Sequence, residues 1–300
     1  MAAEDSGPDP ALLEQWTKEQ DELKATSKKQ PPVALDPSQL RLIAGTDISF
    51  VKGSDVSVSC IAVTTPPPEN TLVWSQTRVC SIDTPYIPGF LAFREVGPLM
   101  AIADSLRAEC EPPSSCTEAP TAPPGTSRTQ NTALDSGGWP VVTWRHPSIA
   151  VQWPDVFLVD GNGALHPRGF GLACHLGALL QTPTIGIGKT LMAVDGLTRA
   201  AFSALEAEQH GGKGMQGRGA STLLVGASGA THGAAVILGA KAIKPTYVSV
   251  GHAVDLDTAV RVALSASSHR VPEAIRHADH IGRERVRSGL GGTAVPVPLV

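Results

Sequence analysis

Residues 154–163 read Pro-Asp-Val-Phe-Leu-Val-Asp-Gly-Asn-Gly. The apolar run Val156–Val159, bounded by proline and by a Gly-Asn-Gly turn, predicts a short buried strand that delivers Asp160 to its carboxyl end. An acid at that place is where α/β folds build their sites. The flanking pattern agrees. Upstream, a polar helix over 10–29 carries a thin stripe of Leu12, Leu13, Trp16 and Leu23. Strands over 42–50, 56–64 and 71–82 follow, joined by turn-rich links as in an antiparallel meander. A helix over 90–107 comes next, with Pro98 set to kink or split it. Downstream, a helix over 170–180 leads to a strand over 184–188 and Lys189. Strands over 234–238 and 246–250 and helices over 256–266 and 272–287 complete the chain. Strands first, then alternating helices and strands, predict an α/β fold: a mixed central sheet flanked by helices.

One stretch breaks the pattern. From about 111 to 150 the chain is rich in Pro, Ser, Thr and Gly without a sustained period. Its composition reads as a long disordered insertion, with Trp139, Trp144 and the nearby Trp153 as the counter-signal. The expected organisation is a flexible N-terminus (1–9), one domain (10–288) interrupted by the insertion, and a flexible tail (289–300).

Composition narrows the function. Across 300 residues, 42% are hydrophobic and 17% charged, enough for a real core. No apolar run reaches the eighteen or so residues of a spanning helix, so no membrane partner is expected. The net charge of −4 excludes a wholesale basic coat and leaves room for a local basic groove. Five cysteines without a CxxC pair, behind an acidic N-terminus with no signal pattern, read as reduced thiols inside a cell. Zinc is disfavoured.

The chemistry sits on acids carried by apolar elements. Asp47 interrupts a Leu/Ile/Phe strand, and Asp160 ends the most hydrophobic one. Glu95 is four residues from both Leu91 and Leu99, on the inward helix face. Asp279 borders the apolar stripe of the last helix. Taken singly, Asp47 and Asp279 read first as a capped turn or a surface ion pair and only second as site residues. Burying all four requires a cationic neutraliser. An all-oxygen donor set points to Mg²⁺ or Mn²⁺, and converging carboxylates suit metal-assisted phosphodiester cleavage.

Pro85-Tyr86-Ile87-Pro88-Gly89-Phe90 is a stiff, apolar-tipped segment, suited to wedging between stacked bases or to a plain strand-to-helix link with Tyr86 packed down. Gly89 and Gly161 allow backbone to approach a flat ligand. Lys189 offers a point charge for phosphate, or a solvated loop lysine. His252 ends a strand as an acid/base group or a turn residue, and His175 reads as a core histidine. The arginines at 276, 283, 285 and 287 give the last helix a basic face.

Together these motifs resemble the endonuclease V family. The matching segments are Gly45–Phe50, Pro85–Glu95, Val159–Gly171, Gly186–Lys189, Val194–Leu197, Ser249–His252 and Ala278–Asp279. They stand in the family's order over roughly 10–110 and 155–287, and the long second and third segments carry most of the specificity. The resemblance implies a ribonuclease-H-like fold and a divalent-metal endonuclease acting on inosine-containing nucleic acid. It implies a cut one nucleotide 3′ of the inosine, leaving 5′-phosphate and 3′-hydroxyl ends. Asp47 and Asp160 would hold Mg²⁺, or Mn²⁺ in its place, with Glu95 as a further metal ligand, Asp279 completing the acidic site and Lys189 and His252 assisting at the phosphate. Pro85, Tyr86, Ile87 and Pro88 would form a wedge, and Gly89, Leu91, Gly161 and His166 would line a base pocket. The long link between Glu95 and Asp160 departs from the family's short one.

Single-stranded inosine-containing RNA is the expected substrate ahead of deaminated DNA, handled by a monomer in the cytoplasm, the nucleus or the nucleolus. A non-catalytic binder of inosine-containing strands is the alternative. A ribonuclease-H-like nuclease of different substrate choice is a third reading, and the wedge segment argues against it.

Overall fold

The computed structural model describes residues 8–82, 84–110, 129–135 and 138–290. The central strand is the one the apolar run predicts: β6 (Val156–Asp160), numbered by its place among ten. It lies parallel between β1 (Ile43–Phe50) and β7 (Thr184–Gly188). Its alternate residues enter two different cores, which is why the run is apolar without a period of two. Phe157 and Val159 pack with Leu99, Ile102 and Leu176 of helices α2 (Leu91–Cys110) and α3 (Leu172–Leu180). Val156 and Leu158 pack with Val262, Ala263 and Ile275 of helices α5 (Leu256–Ser265) and α6 (Glu273–Arg287).

On one side of β6, β1 continues antiparallel into β2 (Val56–Thr64) and β3 (Leu72–Ser81). On the other, β7 pairs antiparallel with β10 (Thr246–His252), followed by β9 (Thr231–Val236) and β8 (Ser221–Val225). The whole is a mixed ten-stranded sheet with helices on both faces. Helix α6 crosses β1 at Gly45, where an added Cβ would stand 2.1 Å from the Ala274 carbonyl carbon. Only glycine permits that approach, and the approach brings α6 down beside Asp47.

Helix α1 (Pro10–Ser27) starts at Asp9, whose carboxylate accepts from the Ala11 amide. Its Trp16 stacks on Phe93 with ring centroids 4.9 Å apart and lies in a cluster with Ile87 and Phe90. Gln20 donates to the Phe170 carbonyl, so α1 ties the start of α2 to the loop before α3.

The sheet corrects the expectation of an insertion disordered from 111 to 150. Residues 111–128 lie outside the described residues, but β4 (Thr129–Leu134) and β5 (Pro140–Arg145) form a hairpin that pairs with β3. Trp144 is buried opposite Ser75, and Arg145 makes a two-pronged ion pair with Glu109 at 2.7 Å. Six-residue strands inside a Pro/Ser-rich window leave no compositional trace. Helix α2 also runs unbroken through Pro98. That proline follows the exposed Gly97 and is itself only half-buried, on the outer side of the helix. The Gly-rich stretch after Lys189 holds α4 (Arg199–Gln209), in which Phe202 alone is buried, and then β8. The flexible N-terminus and tail fall mainly outside the described residues. No described helix is long and apolar enough to cross a membrane.

Candidate active site

Parallel pairing sets the centre of the site. Thr46 aligns with Val159, so the next residues along, Asp47 and Asp160, stand side by side at the carboxyl end of β6. Asp160 aligns with Ile187 of β7, and two residues later Lys189 returns its ammonium to Asp160 Oδ2 at 2.6 Å. Asp47 is buried, shares a hydrogen bond with Asp160 and accepts a long one from Ser49 Oγ at 3.3 Å. Glu95 reaches in from the first turns of α2, also buried, and Asp279 from α6, where it is ion-paired to Arg283 at 2.8 Å. The four acids and the lysine read from the sequence are therefore gathered at one sheet end.

The electrostatics reflect this crowding. Burial, then the hydrogen bond and charge of Asp160 and the charge of Asp279, push the Asp47 carboxyl up to about 8, against the pull of Lys189. Burial and the charge of Asp160 raise Glu95 to about 7, with Arg94 opposing. Burial works against the Lys189 ammonium, but the charges of Asp160, Asp47 and Asp279 outweigh it and raise its pKa. One lysine thus faces several carboxylates that resist ionising together, and every donor is an oxygen. That is the condition a hard divalent cation relieves. Among the described residues no three His, Cys, Asp or Glu side chains already enclose a common point. Asp47 and Asp160 present carboxylates side by side from two neighbouring strands, and Glu95 and Asp279 share their electrostatic environment.

The turn after Asp160 crosses the neighbouring strands. Gly163 N donates to Ser249 Oγ at 2.8 Å and Ala164 N to the Val250 carbonyl at 2.7 Å. A Cβ at Gly163 would stand 1.9 Å from that same carbonyl oxygen, so this glycine is what lets the turn lie on β10. Farther along, His166 is buried. Burial, aided by the charges of Arg168 and Lys24, lowers its pKa to about 4, so it is a neutral imidazole. Its Nδ1 accepts from the Arg168 amide at 3.3 Å, which leaves the other nitrogen as the donor. Gly89 meets this loop, its side-chain position 4.0 Å from Arg168 Cδ, and Gly161 faces Leu172 at 3.4 Å. Leu91, half-buried, opens α2 nearby.

The stiff segment divides its labour. Tyr86 is 65% exposed between exposed Pro85 and Pro88, whereas Ile87 is turned inward against Trp16 and Phe90. The projecting tip is Tyr86 and the prolines; Ile87 anchors it. The local alternative, with Tyr86 packed down, is not what the fold adopts.

His252 is not brought to the acids. Because β10 runs antiparallel to β7, His252 meets Thr184, three residues or about 10 Å along β7 from the partner of Asp160. It is buried there, with Nδ1 2.6 Å from Ser27 Oγ, and burial lowers its pKa. The same register brings Tyr247 opposite Gly188, next to Lys189. Arg270 donates to the Lys189 carbonyl at 2.6 Å and holds that loop. Neither Tyr247 nor Arg270 carries a sequence signal, since only strand direction puts them here. His175 is a core residue, edge-on to Phe93 at 4.9 Å.

A family model described as Endonuclease V matches residues 22–114 and 141–280, resuming within β5. The chain is 36% identical over 296 residues to Endonuclease V of Homo sapiens, spanning 97% of this chain and 89% of that protein. The fold is similar to the crystal structure of the human catalytic domain, with a TM-score of 0.74 at 34% identity, over 95% of this chain and 99% of the other. It is also similar to Ciona intestinalis Endonuclease V in complex with a DNA containing an inosine followed by a ribo-adenosine. That TM-score is 0.70 at 25% identity, over 93% and 99% of the two chains.

Proposed function

The chain belongs to the endonuclease V family, and from that premise we propose that it cuts inosine-containing RNA, ahead of DNA, at the phosphodiester one nucleotide 3′ of the inosine. As a member of that family it is a hydrolytic, inosine-directed endonuclease that leaves 5′-phosphate ends. The observation that carries the finer reading is the buried Asp47 and Asp160 pair, with Lys189 2.6 Å from Asp160 as the adjacent cation. The family is divalent-metal dependent, and we assign Mg²⁺, with Mn²⁺ able to replace it, because the donors are all carboxylate oxygens. When bound, such an ion would supply Lewis-acid stabilisation of the phosphate and an activated water.

The chain's own residues do the rest. Asp47 and Asp160 fix the cation side by side on two strands whose register is pinned by the ladder. Glu95 and Asp279 add charge that favours its retention. Lys189 turns from Asp160 to the scissile phosphate, where a half-exposed ammonium neutralises developing charge. Neutral His166, with one ring nitrogen free to donate, joins Gly89, Leu91 and Gly161 in receiving the extruded base. Tyr86 between its prolines takes the place the base leaves in the stack. His252 has no role at the phosphate in this reading and serves instead to hold the end of α1 through Ser27. The ribo-adenosine that follows inosine in the Ciona intestinalis complex supports a ribonucleotide at the cut. We propose that it acts as a monomer. Cys60, Cys80 and Cys174 are unpaired thiols among the described residues, which supports a reducing compartment, cytoplasm or nucleus.

The test is cleavage of end-labelled single-stranded RNA and DNA, each with one inosine, in Mg²⁺, in EDTA and with Asp160→Ala. The expected result is a Mg²⁺-dependent cut one nucleotide beyond inosine, faster on RNA and lost in the variant. Inosine-selective binding without any cut would instead make the chain a binder.

A further inference from the structure

Beside Lys189, on the side away from Asp160, lies a cleft of about 660 Å³ between the 190–203 segment and the start of β10. Four cations line it, Lys189, Arg199, Lys244 and Arg270, and no carboxylate does. Two of them are already engaged: Lys189 with Asp160, and Arg270 with the carbonyls of Lys189 and Pro245. Arg199 and Lys244 are exposed and have no carboxylate partner among the described residues. The nearest other acid, Glu206, is bonded to the Met215 amide. Tyr247 forms an aromatic wall, half-buried and set edge-on to Phe202 at 6.0 Å. In a chain of net charge −4, four cations and an aromatic ring around one concave surface make a site for a polyanion that carries flat groups.

We propose that this cleft holds the strand on the 3′ side of the cut, with Arg199 and Lys244 on backbone phosphates and a base against Tyr247. The inference rests on the cleavage reading above. The sheet order supplies the direction. Helix α2, which Leu91 opens, packs on β2 and β3 on the β1 side of Asp160, and the cleft lies across β7 on the β10 side. A strand whose inosine sits by Gly89 and whose second phosphodiester on the 3′ side lies over Asp47 and Asp160 continues past Lys189 into the cleft. The cleft is then where the 5′-phosphorylated product waits before release.

Two measurements test this. The first is fluorescence anisotropy of a 5′-phosphorylated single-stranded RNA tetramer without inosine, so it does not depend on the base being recognised. Wild-type protein should bind it at least tenfold more tightly than the Arg199→Ala/Lys244→Ala double variant. The logarithmic salt dependence should fall by about 1.4, at ~0.7 per phosphate contact for single strands. Equal binding by the two proteins overturns the proposal. The second compares kcat/KM for inosine strands extended from one to five nucleotides beyond the cut. The long-to-short ratio should exceed ten in wild type and approach one in the double variant. A ratio unchanged by the substitutions places the 3′ strand elsewhere. Tetramer binding without cleavage of any inosine strand would instead keep the cleft and sink the catalytic reading. Both side chains are exposed, and a melting curve confirms that the double variant is folded.

Discussion

In metal-free buffer, replacing Asp47 by asparagine is expected to stabilise the protein while abolishing cleavage. The reasoning begins with linkage. Asp47 is 7% exposed and its carboxyl is pushed from 3.8 up to about 8. A carboxyl raised on folding stabilises the native state only where the unfolded chain is also protonated. Its contribution is complete below about pH 4 and is lost progressively as pH climbs towards 8. Glu95, raised from 4.5 to about 7, has the same sign over a narrower window. At about 1.4 kcal/mol per pH unit the Asp47 rise sets a ceiling of roughly 6 kcal/mol at pH 8. The hydrogen bond and charge of Asp160 cause part of this rise, and about half of the ceiling, ~3 kcal/mol, should be recovered by the neutral amide. For a chain of this size that is a rise of roughly 6 °C in melting temperature.

The assay is thermal melting in EDTA at pH 5, 6, 7 and 8 for both proteins. Wild type should soften steadily with pH, and the variant should soften less, with the gap widest at pH 8. Adding Mg²⁺ should invert the order, because ligand binding stabilises only the protein that can hold the ion. If the variant melts below wild type in EDTA at pH 8, or wild type is flat across this range, the acids are not a strained cluster awaiting a cation.

Other perturbations separate the parts of the site. Lys189→Ala should lower the cleavage rate by about 10²–10³. Its melting temperature should hardly move, because the lysine side chain is 38% exposed and such pairs contribute little to stability. Tyr86→Ala should weaken binding of inosine-containing strands about tenfold by anisotropy, with an unchanged urea midpoint, since the ring projects into solvent. Trp144→Ala should cost about 3–5 kcal/mol in urea unfolding, which a disordered insertion would not. Gly163→Ala sets a Cβ 1.9 Å from the Val250 carbonyl oxygen, and soluble yield and melting temperature should both collapse.

Much of this was legible because it rests on local chemistry. Strand β2 follows from the alternation in VSVSCIAVT, and Asp160 is announced by an apolar run that stops at an acid. Glu95 was found from its spacing to Leu91 and Leu99. What could not be read was pairing. His252 and Tyr247 belong to one strand, and only its antiparallel course decides which of them stands by Lys189. Ile87 reads as a wedge residue until α1 arrives with Trp16 to cover it. Helix α4 hides because its polar residues outnumber its one buried ring, Phe202, and β5 hides because its neighbours in sequence are prolines, serines and glycines.

The hairpin built from the end of the divergent segment bears on how this protein behaves in a crowded solution. Strand β3 has ten residues, most of them buried, and without β5 its outer rank of amides and carbonyls would lie open to any matching strand. The β4–β5 pair closes that rank, and Arg78 and Asp135 clamp it with an ion pair at 2.9 Å. The family match stops at residue 114 and resumes at 141, so β5 lies almost wholly inside the shared sequence while β4, which covers β5 in turn, lies outside it. Removing residues 115–140 would take β4 away and bare the outer rank of β5 in the same manner. The cost would then appear as self-association during expression and storage, in a protein whose catalytic centre is untouched.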